Sequence, residues 1–142
     1  MNIAGVVGLG DMGSGLAKNL LQHGFKVQGA DLLRHRQEAF RAMGGHLVNC
    51  PADVGRGASA VFIMVMTGDE AKRVIFASDG LLTTMAEGSA IILSATIKPQ
   101  EAREIGSQME GSGVHLIDSP VSGGFPGAQG GTLTLMVAAP DG

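Results

Sequence analysis

"IAGVVGLGDMGSGLAKNLLQ", residues 3–22, is the stretch that decides the fold. An apolar run at Ile3–Val7 leads into Gly8, Gly10 and Gly13, the G-x-G-x-x-G spacing, and then into an amphipathic segment. Gly8 permits a tight turn, and Gly10 carries no side chain where backbone must approach a pyrophosphate. Gly13 lets a helix pack closely on the preceding strand. The spacing predicts a helix over Met12–His23, with Leu16, Leu20 and Leu21 on the face of Met12 and with Lys18, Asn19 and Gln22 facing away. Its first N–H groups and positive dipole end would point at phosphate oxygens. A second strand, Lys26–Ala30, ends at Asp31. That is about twenty residues beyond the glycines, where a carboxylate accepts hydrogen bonds from the adenosine ribose hydroxyls. A carboxylate there also repels a 2′-phosphate, so the residues favour NAD over NADP. Arg34 stands close enough to soften that preference, although it reads as a solvated helix-start residue. Related glycine turns hold FAD and S-adenosylmethionine, and at this point the residues indicate a dinucleotide more strongly than a reaction.

Outward from this unit, apolar runs alternate with amphipathic ones. Further strands are predicted at His46–Val48, Ala60–Val65, Ala90–Leu93, Val114–Ile117 and Leu133–Ala138. Further helices are predicted at His35–Met43, Ala52–Arg56, Asp69–Phe76, Leu82–Met85 and Pro99–Ser112. The last has Pro99 at its first position, Glu101 and Glu104 early and Gly113 beyond its end. Strand–helix alternation with continuously apolar strands predicts an α/β, doubly wound, mainly parallel sheet of Rossmann type in a single domain, 1–142. Ligands in such sheets bind beyond the carboxyl ends of the strands.

Composition bounds the rest. A net charge of −3 with no basic face argues against nucleic acid. The longest strongly apolar stretch, Ala60–Met66, is too short for a bilayer, so no membrane partner is expected. One cysteine, Cys50, offers neither a disulfide framework nor a thiolate zinc site; it reads as a small core or strand-end residue. With no basic leader at the start, the expectation is cytoplasmic. His23, His35, His46 and His115 show no ligand spacing, so no metal site is expected. No G-x-S-x-G elbow surrounds Ser14, Ser94 or Ser122.

A second glycine cluster, "VSGGFPGAQGGTL" at residues 121–133, lies between apolar runs. Successive glycines can turn several N–H groups towards one anion. Together "GLGDMGSGLAKNLLQHGFKVQGADL" at 8–32, "SATIKP" at 94–99 and "DSPVSGGFPGAQGGTLTLMV" at 118–137 resemble the β-hydroxyacid dehydrogenase family, which includes 3-hydroxyisobutyrate, tartronate-semialdehyde and threonate dehydrogenases. The resemblance implies an amino-terminal Rossmann domain followed by a helical domain that completes the site. It implies that Gly8, Leu9, Gly10, Asp11, Met12, Gly13 and Asp31 hold NAD, that Val65 and Met66 line its path, and that Thr96 meets the nicotinamide ribose. Ser122, Gly123 and Gly124 would bind a small hydroxy acid through its carboxylate. Hydride would pass between the hydroxyl-bearing carbon and the nicotinamide.

Three features depart from the family pattern. Leu93–Ser94–Ala95–Thr96 replaces a frequent D-S-S-T, "VMT" at 65–67 replaces a Leu-Pro pair, and the family's proton-transfer lysine lies beyond Gly142. Lys18, Lys26, Lys72 and Lys98 belong to other elements, so no catalytic residue is assigned within the chain. "PDG" at 140–142 reads as a turn or helix cap with nothing after it, and the expectation is a truncated piece of an NAD-dependent 3-hydroxyacid dehydrogenase, inactive alone and homo-oligomeric when full-length. A lean towards threonate rests on "GADL" at 29–32 and "RVIFASDGLL" at 73–82. The alternatives are a non-catalytic NAD-sensing module and a relative of the 6-phosphogluconate or imine-reducing enzymes.

Overall fold

In the computed structural model, which describes residues 3–94 and 97–118, the apolar runs pair as one six-stranded parallel sheet. The strands are β1 (Ile3–Val7), β2 (Lys26–Ala30), β3 (His46–Leu47), β4 (Ala60–Ile63), β5 (Ala90–Leu93) and β6 (His115–Asp118). Their order is β3-β2-β1-β4-β5-β6, so the winding reverses between β1 and β4. The connections contain α1 (Asp11–Gln22), α2 (Arg34–Ala42), α3 (Pro51–Gly55), α4 (Gly68–Phe76) and α5 (Pro99–Gln108), with a 3-10 turn at Leu81–Thr83.

Strands β4 and β5 are buried at every position, as expected of central parallel strands covered on both faces. Their side chains alternate between two cores. Val61, Ile63, Ile91 and Leu93 pack with Ile75 of α4 and Ile105 of α5. Ala60, Phe62 and Ile92 join Leu16 and Leu20 of α1 and Phe40 of α2 on the opposite face. Full burial of a Leu, Ile or Phe side chain contributes about 1.5–3 kcal/mol, so these two layers hold the sheet flat against its helices. Gln28 adds a polar tie, its Nε2 donating to the carbonyls of Val54 and Arg56, each at 3.0 Å.

Several boundaries differ from the sequence expectation. β4 stops at Ile63 rather than Val65, because the chain turns towards α4, whose N-cap Thr67 accepts a hydrogen bond from the Glu70 N–H at 3.1 Å. α5 ends at Gln108 rather than Ser112. There the Met109 N–H divides between the Ile105 and Gly106 carbonyls, and Gly111 at φ +84° leaves the helical path. The segment expected as a helix at Leu82–Met85 is the single 3-10 turn. β3 is shorter by one residue, and β6 is displaced by one. Asn19, expected to face away, is buried under α1. Cys50 is not a core residue. It occupies the N-cap position of α3, half-buried, with its Sγ 3.6 Å from Asp53 Oδ2. The expected strand at Leu133–Ala138 lies outside the described residues.

Candidate functional site

The carboxyl ends of β1, β2, β4 and β5 form one rim, and most of the sequence-predicted site residues stand on it. At its centre is the glycine turn. Gly8 takes φ +96°, and a Cβ there would run into the Met64 carbonyl, so both conformation and space demand glycine. The Gly8 N–H donates to the Ala30 carbonyl at 3.0 Å, while the Met64 N–H donates to the Val7 carbonyl at 2.8 Å. The turn is thereby fixed between β2 and β4. Gly13 is equally constrained, because a Cβ would strike the Gly8 carbonyl oxygen.

Gly10 is different. Its φ is −70°, which any residue adopts, and the nearest atom that a Cβ would meet is Arg36 Cζ, 3.4 Å away. It is the N-cap of α1, and no side chain caps that helix. The first-turn N–H groups therefore present the uncapped, electropositive end of α1 at the rim. Leu9 is buried, Asp11 is exposed and Met12 is half-buried against the α1 core.

Asp31 lies at the end of β2, but it is not an open acceptor. Its side chain is 6% exposed. Oδ2 accepts from the Leu9 N–H at 2.7 Å, Oδ1 accepts from the Leu33 N–H at 2.8 Å, and Arg36 Nη1 lies 3.5 Å from Oδ2. The carboxylate thus joins the glycine turn to the turn that starts α2. This structural duty was not legible in the motif, which relates Asp31 to the ligand and not to the Leu9 backbone. Arg34, the base singled out in the sequence, points away and pairs with Glu38 at 3.3 Å. Arg36 is the charged residue beside the glycine turn that the sequence reading missed. Its only local signal is a third base after Arg34 and His35.

Large apolar side chains stand exposed on the same rim, Leu32 at 98% and Met66 at 82%, with Leu33 beside Leu32 at 44%. Val65 is half-buried and packs against the core. At the end of β5, the Ser94 hydroxyl is buried with no hydrogen-bond partner among the described residues, the kind of atom a bound polar group would satisfy. Thr96, Ser122, Gly123 and Gly124 lie outside the described residues. β6 reaches the rim at Asp118. Among the described residues no group of three or more His, Cys, Asp or Glu is placed to hold a metal, and no helix is long and apolar enough to cross a membrane.

A dinucleotide fits this rim on structural grounds. Gly10 carries no side chain, the α1 N-terminus is uncapped, and apolar surface lies to either side at Leu32 and Met66. The guanidinium of Arg36, lying against Gly10, must shift for a pyrophosphate to reach the backbone there.

Comparison with known proteins agrees. A family model described as the NAD binding domain of 6-phosphogluconate dehydrogenase matches residues 3–142. The chain is 35% identical to L-threonate dehydrogenase of Cupriavidus necator, over 96% of its own length and 46% of that protein. It is 36% identical to the mitochondrial 3-hydroxyisobutyrate dehydrogenase of Homo sapiens, over 94% of its length and 40% of that protein. It therefore spans less than half the length of either relative. Among solved structures, 3-hydroxyisobutyrate dehydrogenase of Mycobacterium tuberculosis, described with L-serine, superposes with a TM-score of 0.84 at 30% identity, covering 99% of this chain and 50% of that one.

Proposed function

This chain belongs to the family of the NAD binding domain of 6-phosphogluconate dehydrogenase, and from that membership we propose that it is the cofactor-holding part of an enzyme oxidising a small 3-hydroxy acid. The observation that carries the reading is the coincidence of the glycine turn, the uncapped α1 N-terminus and Asp31 on one rim, beside the point where the sheet reverses its winding. NAD, when bound, supplies the hydride acceptor. The chain's own residues position it. First-turn N–H groups of α1 face the pyrophosphate, Asp31 stands beside the adenosine ribose, and Leu32 offers an apolar surface to the base. Val65 and Met66 border the route towards the nicotinamide, with Thr96 at its ribose.

The substrate class rests on the relatives, which are named for threonate and 3-hydroxyisobutyrate. We assign the substrate carboxylate to Ser122, Gly123 and Gly124, supported by the family-like motif at 118–137. The proton-transfer role falls to the lysine that the resemblance places in the family's helical domain, so residues 1–142 bind cofactor without turnover.

Calorimetric titration of the 142-residue chain with NADH, paired with assays of NADH formation from 3-hydroxyisobutyrate and L-threonate, tests this division. Saturable one-to-one binding without turnover is expected. Turnover by the chain alone contradicts the assignment of the proton-transfer group, and absence of saturable binding contradicts the cofactor assignment.

A further inference from the structure

We propose that Glu101 is a positioning residue for the nicotinamide half of the cofactor. Its carboxylate, seated on Gly68, fixes the spacing between the loop that carries Val65 and Met66 and the loop that carries Thr96. The inference rests on the cofactor reading above and adds the side chain that sets one section of the site.

Residues 64–67 join β4 to α4, and residues 94–98 join β5 to α5. At the strand ends the two loops leave the sheet from one pinned point, where the Ser94 N–H donates to the Ile63 carbonyl at 3.1 Å. Val65 of the first loop and Ile97 of the second pack against the same core, while Met66 stands out from it. What remains to be set is how the loops arrive at their helices. Backbone pairing fixes the strand ends, and a side chain contact fixes the helix starts.

That contact is Glu101. It is half-buried in the first turn of α5, and its Oε1 accepts from the Lys98 N–H at 3.1 Å, which caps its own helix. Its Oε2 lies against Gly68, the buried first residue of α4, in the space that a Cβ there would fill. Gly68 has helical backbone outside the left-handed region, so its conformation does not demand glycine; the seated carboxylate does. Among the described residues no cation forms an ion pair with Glu101, so the seat is not a by-product of a salt bridge. A negative charge suits the position because both helix starts are electropositive. One turn further from the rim, Lys72 and Glu104 tie the same two helices independently. Loss of the Glu101 contact therefore leaves α4 and α5 joined and frees only their rim ends, where the loops begin.

The test is to titrate the chain and its Glu101→Ala, Gly68→Ala and doubly substituted variants with NADH and with ADP-ribose, which lacks the nicotinamide, and to record Tm for each. The unsubstituted chain should bind NADH about fivefold more tightly than ADP-ribose, or better. Glu101→Ala should lower that ratio by about threefold or more, with ADP-ribose affinity held within about twofold. Gly68→Ala evicts the flexible end of Glu101 without removing its charge, and should lower the ratio equally. The double variant should fall no further, because both substitutions break one contact. If Glu101→Ala does not fold, Gly68→Ala alone decides the matter. A role confined to capping α5 lowers Tm in Glu101→Ala and leaves the ratio unchanged, and that result overturns the proposal. So does a parental ratio in Gly68→Ala, or equal affinity of the unsubstituted chain for the two ligands, which leaves the adenosine half of the cofactor reading standing. Failure of both ligands to bind overturns the cofactor reading and this inference with it.

Discussion

Gly8, Gly10 and Gly13 share one motif but perform separable work. A side chain at Gly8 or Gly13 collides with backbone carbonyls that cannot move without opening the turn. At Gly10 it meets only the mobile end of Arg36 among its nearest neighbours, in a backbone conformation open to any residue. Gly10→Ala should therefore keep Tm within about 3 °C of the parent, as a substitution without a structural penalty does. It should nevertheless weaken NADH binding by about tenfold or more, because the methyl group occupies the pyrophosphate approach. Gly13→Ala should lower Tm by about 5 °C or more despite the better helix propensity of alanine. Thermal denaturation alongside NADH titration separates the two, and equal loss of Tm in both variants contradicts the distinction. At this scale the motif was readable, since each glycine position has its own steric reason. The covering of Asp31 was not, because Arg36 reaches Gly10 only after α2 packs back on the sheet.

The helices α4 and α5 follow β4 and β5 and are joined by a pair that titrates. Lys72 Nζ donates to Glu104 Oε2 at 2.8 Å, and the Glu101 carboxylate rests against Gly68 at the start of α4. The Lys72 hydrogen bond holds the Glu104 carboxyl below its ordinary value of 4.5, and the same bond raises the Lys72 ammonium above 10.5. A depressed carboxyl stabilises the fold above its unfolded pKa, and that contribution is lost as pH falls through the folded value. A raised ammonium stabilises below its unfolded pKa, and its contribution is lost as pH rises through the folded value. Glu104→Gln should accordingly lower Tm slightly at neutral pH, with the difference closing as pH falls through the lowered carboxyl value and in molar salt, as for an exposed pair. A Tm difference of constant size across that range contradicts an ionic origin. The existence of both helices was legible from apolar spacing and from Pro99 at the first position of α5. Their ends were not, since the Thr67 cap and the turn at Gly111 are settled by hydrogen bonds that periodicity does not encode.

Across the whole molecule, the alternation of apolar runs and amphipathic stretches was enough to place six described strands in a parallel sheet covered on both faces. Continuous burial of β4 and β5 follows from their unbroken apolar sequences, and the reversal beside β1 goes with the burial of both sheet faces. Burial of Asn19 was legible in the helical spacing, since it stands three residues after Leu16 and so shares that buried face, but its polarity argued for the outside. The central claim is that a dinucleotide binds on the rim where β1, β2 and β4 end. Amide chemical-shift mapping of the isotopically labelled chain during NADH titration tests it most directly. Saturable shifts concentrated at Gly8–Ser14 and Asp31–Leu33 are predicted; shifts clustered instead at the opposite edge, around Lys26, Ser59 and Ser89, would contradict it.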